Sequence, residues 1–173
     1  LHTVSGEVGI KTAIQEGADV LLFDSISSIE ELFLLLSAAN SGMLVFATAT
    51  GNNTVSLLNR FLDSVPQNLR SSLAASLADL LKGIIVQHLI PVVDGEGLVL
   101  ATESMKVSST IANLLRKEEI AQIPAALSSA KGTAISLDDS LKMLVDSGYI
   151  EGVEAWKHAF DARSFASYRP GRN

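Results

Sequence analysis

Cysteine is absent from the chain's 173 residues. Disulfides and thiolate zinc sites are therefore excluded, and the composition fits a reducing compartment. Basic residues are scarce as well: 13 Lys and Arg against 19 Asp and Glu leave a net charge of −6 and a pI near 5.0. Neutralising phosphates needs clustered Lys and Arg, so this balance argues against a nucleic-acid or anionic-membrane surface. The basic stretch that does occur is the short C-terminal one around Arg163, Arg169 and Arg172. Long apolar runs are missing too. Leu32–Leu36 stops at five residues, where a membrane span needs about 20. Leu1 is followed by polar and Gly-rich sequence rather than by the apolar core of a signal peptide, and no initiator Met precedes it. The expectation is a fragment, a processed product, or the ordered part of something longer.

What is present can build a core. Apolar residues make up 47% of the chain and charged ones 18%. That is too apolar for a disordered chain and long enough for one well-buried domain with a small helical appendage. Residues 10–16 read as a helical turn that Gly17 ends. Asp19–Asp24 is continuous in Val, Leu and Phe, which predicts a buried parallel strand rather than an alternating, half-exposed one. "SSIEE" offers Ser27 or Ser28 as an N-cap with acids in the first turn, so a helix follows to about Asn40 and Gly42 closes it. Met43–Thr48 predicts a second buried strand. Thr54 caps a helix with Val55, Leu57, Leu58, Phe61 and Leu62 at helical spacing.

Pro66 sits in the first turn of the next helix, which runs to about Lys82. Ile84–Pro91, a turn at Asp94–Gly97 and Leu98–Ser104 then make an antiparallel hairpin. Helical segments follow near 108–118, 120–129, 136–147 and 151–162. The expected division is an α/β layer over 1–104, a helical subdomain over 105–163 and an exposed flexible tail over 164–173. Two parallel strands and a hairpin rarely complete a doubly wound sheet. Their apolar edge calls for cover by more polypeptide, a second copy or another subunit.

The segment 19–52, "DVLLFDSISSIEELFLLLSAANSGMLVFATATGN", has the build of the acidic-strand half of an ATPase: strand, acidic tip, helix, and a second strand with a polar end. "AANSGMLVFATAT" looks like "AAETGHLVFGTLHT", and "LLNRFLDSVP" like "TIDRIIDVFP". "LLKGIIVQHLIP" looks like "SLRGVISQTLLP", and "STIANLLRKEEIAQIP" like "PAIRNLIREGKTAQIP". Over about residues 10–160 the chain thus resembles the C-terminal motor domain of the type IV pilus retraction ATPases (the PilT type), in the secretion-ATPase superfamily. The resemblance implies an α/β fold: a partial RecA-like, P-loop NTPase-like parallel sheet with an antiparallel hairpin, then a C-terminal helical bundle. It also implies a ring of six subunits with ATP between neighbours, acting in twitching motility from the cytoplasmic, inner face of a membrane.

The catalytic positions depart from that pattern. Against the family's "DVILVGEMRD", the glutamate that polarises water falls on Ser25 and the glycine before it on Asp24. The arginine and aspartate that follow fall on Ser27 and Ser28, and the family's histidine falls on Thr50. No G-x-x-x-x-G-K-[ST] loop occurs, since "VSGEVGIKT" has the wrong spacing and no strand before it. Phosphoryl transfer rests on a phosphate cradle, Mg²⁺ and a water-orienting group. A serine hydroxyl lacks the charge and basicity of a carboxylate, and such a loss costs on the order of 10²–10⁴ in rate. Asp24 is displaced by one residue, which on a strand turns a side chain to the other face. The expectation is a pseudo-ATPase: no catalytic residue, no bound cofactor, and a structural or protein-interaction role in a homo-oligomer or larger complex. The alternative is a piece of an active motor whose nucleotide-binding half, with ATP and Mg²⁺, lies outside this chain.

His2, His88 and His158 are at no ligand spacing, so no metal site is expected, and His88 is placed on the exposed face of a hairpin strand. Glu30 and Glu31 complement a helix dipole. Glu103 reads as an inter-element hydrogen-bond partner. "TIANLLRK" (110–117) matches a family helix tied to retraction. It offers Ile111, Asn113, Leu114 and Arg116 as interaction candidates, with Ala112 and Lys117 departing from the family; core packing is the plainer reading.

Overall fold

The structure, a computed structural model, describes residues 5–129 and 134–170. These residues form two compact units that interleave in sequence: Leu1–Lys82 with Val107–Ile120, and Gly83–Lys106 with Ala121–Asn173. The expected boundary at residue 104 is therefore not where the chain divides. The hairpin goes with the C-terminal helices, and the helix after it goes with the N-terminal unit.

In the first unit, α1 (Gly6–Gln15), β1 (Val20–Phe23), α2 (Ile29–Asn40) and β2 (Leu44–Ala47) form a strand–helix–strand unit preceded by a helix. The strands pair in parallel, with Val20 opposite Leu44 and Phe23 opposite Ala47. Parallel neighbours need a crossover, and α2 is that crossover. Ile10, Leu35, Ala38 and Met43 form a buried cluster, and Leu21, Phe23 and Val45 pack on it from the sheet. The other face of the same two strands is exposed: Val20, Leu22, Leu44 and Phe46 point to solvent. The two strands are thus buried on one face only, contrary to the reading of their continuous apolar runs. Such a run marks side chains that want cover on both faces, and this chain supplies one helical layer.

α3 (Thr54–Asp63) and α4 (Gln67–Leu80) follow, and α5 (Ser109–Arg116) returns to pack on α4. Asn53, not Thr54, caps α3: its side chain accepts from the Ser56 N–H at 2.8 Å while Thr54 is buried in the first turn. Pro66 occupies the N-cap position of α4 rather than its first turn. An Arg70 guanidinium bridges Asp63 at 2.5 Å and Glu118 at 2.7 Å, tying the end of α3 and the second residue beyond α5 to α4. Leu58, Leu62, Leu73, Leu77, Ile111 and Leu115 are fully buried or nearly so, while Leu114 is half-buried.

In the second unit, β3 (Gly83–Pro91) and β4 (Leu98–Lys106) pair antiparallel from Gly83 opposite Lys106 to Pro91 opposite Leu98. The turn between them uses Gly95 and Gly97 at φ 75° and 125°, where a side chain is disfavoured. The strands alternate. Val86, Ile90, Ala101, Glu103 and Met105 are buried, and Ile85, Leu89, Leu98 and Leu100 are exposed. α6 (Ile123–Ser129), α7 (Leu137–Asp146) and α8 (Gly152–His158) follow, then a 3-10 helix over Ala162–Tyr168. Ile90 and Ala101 join Leu137, Leu141, Ile150, Ala155 and Phe165 in one core, with Leu144 and Trp156 partly buried against it.

Phe165 corrects the expectation for the C-terminal residues. They do not form a free tail, because this ring is buried among the hairpin and helix residues just named. Asp138 helps to hold the segment, since its carboxylate accepts from the Phe160 N–H at 2.7 Å and the Asp161 N–H at 3.0 Å. Residues 171–173 of the expected tail lie outside the described residues. Gly152, at the start of α8, lies directly under the Tyr168 ring. The fold is α/β, with a parallel sheet, an antiparallel hairpin and a helical C-terminal part. Among the described residues no helix is long and apolar enough to cross a membrane.

Candidate functional site

In open α/β sheets the carboxyl ends of parallel strands are where ligands bind, because side chains and loop N–H groups converge there. In this chain that edge is made by residues 24–28 after β1 and 48–53 after β2. It gathers every degenerate catalytic position: Asp24, Ser25, Ser27, Ser28 and Thr50.

Ser25 adopts a left-handed backbone, φ 65°, which costs an L-residue roughly 1–2 kcal/mol. Thr48 holds it there. The Ser25 N–H donates to Thr48 Oγ1 at 2.7 Å, and the Thr48 hydroxyl donates to Asp24 Oδ1 at 2.8 Å. The Ile26 N–H donates to the Thr48 carbonyl at 2.8 Å. Thr48 is thus the organising residue of the edge, and the residue-by-residue reading missed it. The signal was present, since Thr48 is the threonine shared with the quoted segment "LVFGTLHT".

Ser27 and Ser28 have a different task. Glu31 Oε2 accepts from the Ser27 N–H at 2.8 Å, the Ser27 hydroxyl at 2.8 Å and the Ser28 N–H at 3.1 Å. The Glu31 N–H returns a bond to Ser28 Oγ at 3.1 Å, completing a capping box at the start of α2. The N-cap is therefore Ser28. The Ser27 backbone and hydroxyl donors hold the Glu31 carboxyl below its ordinary range, against the opposing effect of burial. Thr50 is exposed in the loop after β2.

A bound Mg²⁺–nucleotide would need free N–H groups to cradle phosphate, free carboxylate oxygens for the ion and a cation near the γ-phosphate. The N–H groups of Ser25 and Ile26 are engaged by Thr48, and those of Ser27 and Ser28 by Glu31. One Asp24 oxygen accepts from Thr48. Residues 24–53 contain no Lys, Arg or His. Among the described residues no three His, Cys, Asp or Glu side chains are placed to hold a metal ion together. The residues at this edge do not fit that cofactor by themselves, and no chemical step is derived through it.

The second candidate set lies on α5. Ile111 and Leu115 are buried, and Leu114 is half-buried. Arg116 donates through Nη1 to Asn113 Oδ1 at 3.3 Å and through Nη2 to Asp79 of α4. The buried leucine and isoleucine and the Arg116–Asp79 pair fix α5 against α4, which is the packing role, while the exposed Asn113 bonds Arg116 of its own helix. His88 lies on the inward face of β3 with Val86 and Ile90, not on the exposed face. Its ring meets that of His158 edge-on, with centroids 6.0 Å apart. Glu103 is buried on the same face of the hairpin.

No family model matches the chain. Curated relatives do. A twitching motility protein of Neisseria gonorrhoeae is 29% identical over 166 residues, 95% of this chain and 44% of that protein. The type IV pilus retraction ATPase PilT of Pseudomonas aeruginosa is 30% identical over 158 residues, 91% of this chain and 46% of that protein. Among solved structures, the pilus retraction motor PilT with bound ADP matches with a TM-score of 0.85 at 28% identity, covering 94% of this chain and 46% of that one. The ATPase DotB of Legionella pneumophila matches in fold, with a TM-score of 0.77 at 17% identity, over 89% of this chain and 42% of that one. The chain therefore spans less than half the length of these proteins.

Proposed function

We infer the function from kinship: this chain is a relative of the type IV pilus retraction ATPases, in the secretion-ATPase superfamily, and corresponds to their C-terminal motor domain. Our reading is that it is a degenerate relative, a pseudo-ATPase that keeps the frame of the motor as a structural or protein-interaction subunit. The observation that carries this is the carboxyl edge of the β1–β2 sheet. The N–H groups of Ser25 to Ser28 close on Thr48 and Glu31, and Ser25 and Thr50 stand where the family places a glutamate and a histidine. Donors engaged in this way are not left to stabilise a transferring phosphoryl group. The reading includes assembly with other protein subunits, in a homo-oligomer or a larger complex, on the cytoplasmic side of a membrane.

A second reading rests on length. The relatives are more than twice as long as the segment they share with this chain. On this reading the chain is part of an active hexameric ATP-hydrolysing motor whose nucleotide-binding half is supplied by other polypeptide.

One measurement tests the first reading. The purified chain should show no Mg²⁺-dependent ATP turnover above about 0.01 per second, three decades below a median enzyme. Restoring both positions with Ser25→Glu and Thr50→His should leave it inactive, because the N–H groups of Ser25 to Ser28 remain engaged. Hydrolysis by the parent chain that Asp24→Asn abolishes would refute the pseudo-ATPase reading. Activity gained by the double variant would reveal a nucleotide site that the geometry above does not account for.

A further inference from the structure

α5 ends in a way that breaks a rule kept elsewhere in the chain. Two successive N–H groups turn back onto its last turn: Glu118 onto the Leu115 carbonyl at 3.0 Å, and Glu119 onto that of Leu114 at 2.9 Å. The same pair of bonds closes α1 at Gly17, α2 at Gly42 and α7 at Gly148. Each of those glycines is left-handed, at φ 67°, 98° and 74°, the conformation that such a closure demands and that glycine enters without steric cost. At the end of α5 the left-handed residue is Glu118, at φ 59°.

The side chain that causes this strain is held at both oxygens. Glu118 Oε2 accepts from Arg70 Nε at 2.7 Å, and Oε1 accepts from the Ser71 hydroxyl at 3.0 Å. Both donors lie on α4. We propose that Glu118 makes the turn after α5 a charge-held latch: strained while closed, kept closed by Arg70 and Ser71, and released when that charge pair is weakened. Glycine at this position would close the turn without strain and leave nothing to release. A neutral side chain would carry the strain with nothing to hold it.

The latch moves little of the molecule. Ile111 and Leu115 are buried and α5 packs on α4, so release frees the turn at 117–120 and not the helix. That turn is the last stretch of the first unit, which ends at Ile120. The Arg70 and Glu118 side chains are each 24% exposed, so salt reaches the pair and screens it. Arg70 also holds Asp63 at 2.5 Å, so loss of the Glu118 charge does not strand the guanidinium without a partner. The proposal goes beyond the function inferred above and does not depend on nucleotide chemistry at the β1–β2 edge.

The test is amide hydrogen exchange of the 173-residue chain, read by NMR at residues 118 and 119 and corrected for the intrinsic rate of each sequence. The amides of Leu73 and Leu77, in the buried part of α4, report whether the unit stays folded. Glu118→Gln keeps the strain and loses the charge, so exchange at 118 and 119 should be about tenfold faster, with Leu73 and Leu77 unchanged. Glu118→Gly loses both and should exchange within about threefold of the parent. Asp63→Asn, which removes the other partner of Arg70, should leave both amides as they are in the parent. Raising NaCl from about 0.1 to 1 M shortens the screening length from about 10 to 3 Å, and should speed exchange in the parent but not in Glu118→Gln. Parent-like exchange in Glu118→Gln would overturn the proposal, because the carboxylate would then hold nothing. Equal acceleration in the Gly and Gln variants would overturn it too, since no strain would be stored. So would equal acceleration at Leu73 and Leu77, because the whole unit rather than the turn would be opening.

Discussion

Replacing Gly152 by alanine should destabilise this protein, although the same change in most helices does the opposite. Gly152 is the first residue of α8 and its φ lies outside the left-handed region. Alanine there reduces the freedom of the unfolded chain and normally gains about 0.4–1 kcal/mol. Here a Cβ would stand 2.0 Å from Tyr168 Cδ1 and 2.3 Å from Cγ, so the ring must leave. Overpacking a fixed neighbour costs about 1–3 kcal/mol. Tyr168 is 44% exposed, so it swings toward solvent and the loss lies near the middle of that range, about 2 kcal/mol, rather than at its top. The net expectation is a loss of about 1 kcal/mol, the overpacking cost less the gain in the unfolded chain. For a urea slope of about 1–3 kcal/mol per molar, this lowers the midpoint by about 0.3–1 M. In a Tyr168→Ala background the clash is gone, and Gly152→Ala should become stabilising. A rise in midpoint on adding Gly152→Ala to the parent chain, of the same size with and without Tyr168, would refute the reasoning.

Phe165→Ala should cost about 3–5 kcal/mol, as for a buried aromatic ring, and an unchanged denaturation midpoint would mean that the segment after α8 is free after all. Leu141→Ala, at a fully buried site, should cost about 2–5 kcal/mol. The half-buried Leu114 and Leu144 should cost less, and equal losses at all three in urea melts would contradict the burial described. Glu31 has a lowered folded-state pKa, so its contribution to stability is fully present above the ordinary glutamate value and is lost as pH falls through the folded one. Glu31→Gln should therefore lower stability at pH 7 and flatten its acid-side decline; parallel pH profiles for parent and variant would rule this out.

Much of the fold is legible because its signals are local. The Asp94–Gly97 turn fixes the hairpin register, and Ser28 with Glu31 announces the start of α2. The misreadings have non-local causes. Asn53 and Thr54 are both good caps, and burial of the threonine decides between them. Phe165 shares a mostly polar stretch with Tyr168, and only the packing of hairpin and helix residues around its ring reveals that it has somewhere to go. Continuous apolar strands predict two covered faces, and one is bare in this chain. At the candidate site the replaced residues could be read by position. The left-handed Ser25 and the role of Thr48 depend on two strand ends meeting across 23 residues of chain, which no local pattern announces.

The interleaving of the two units bears on how such a sequence can be inherited. The chain passes between them at Lys82–Gly83, at Lys106–Val107 and at Ile120–Ala121. A recombination junction falling between residues 83 and 120 would therefore leave each unit with part of its structure from a different parent, and a junction at residue 104 would divide the hairpin itself. Neither unit can be exchanged between relatives as one continuous stretch of gene. Genes of this kind should pass through evolution with the 83–120 segment whole, their crossover points displaced toward either end.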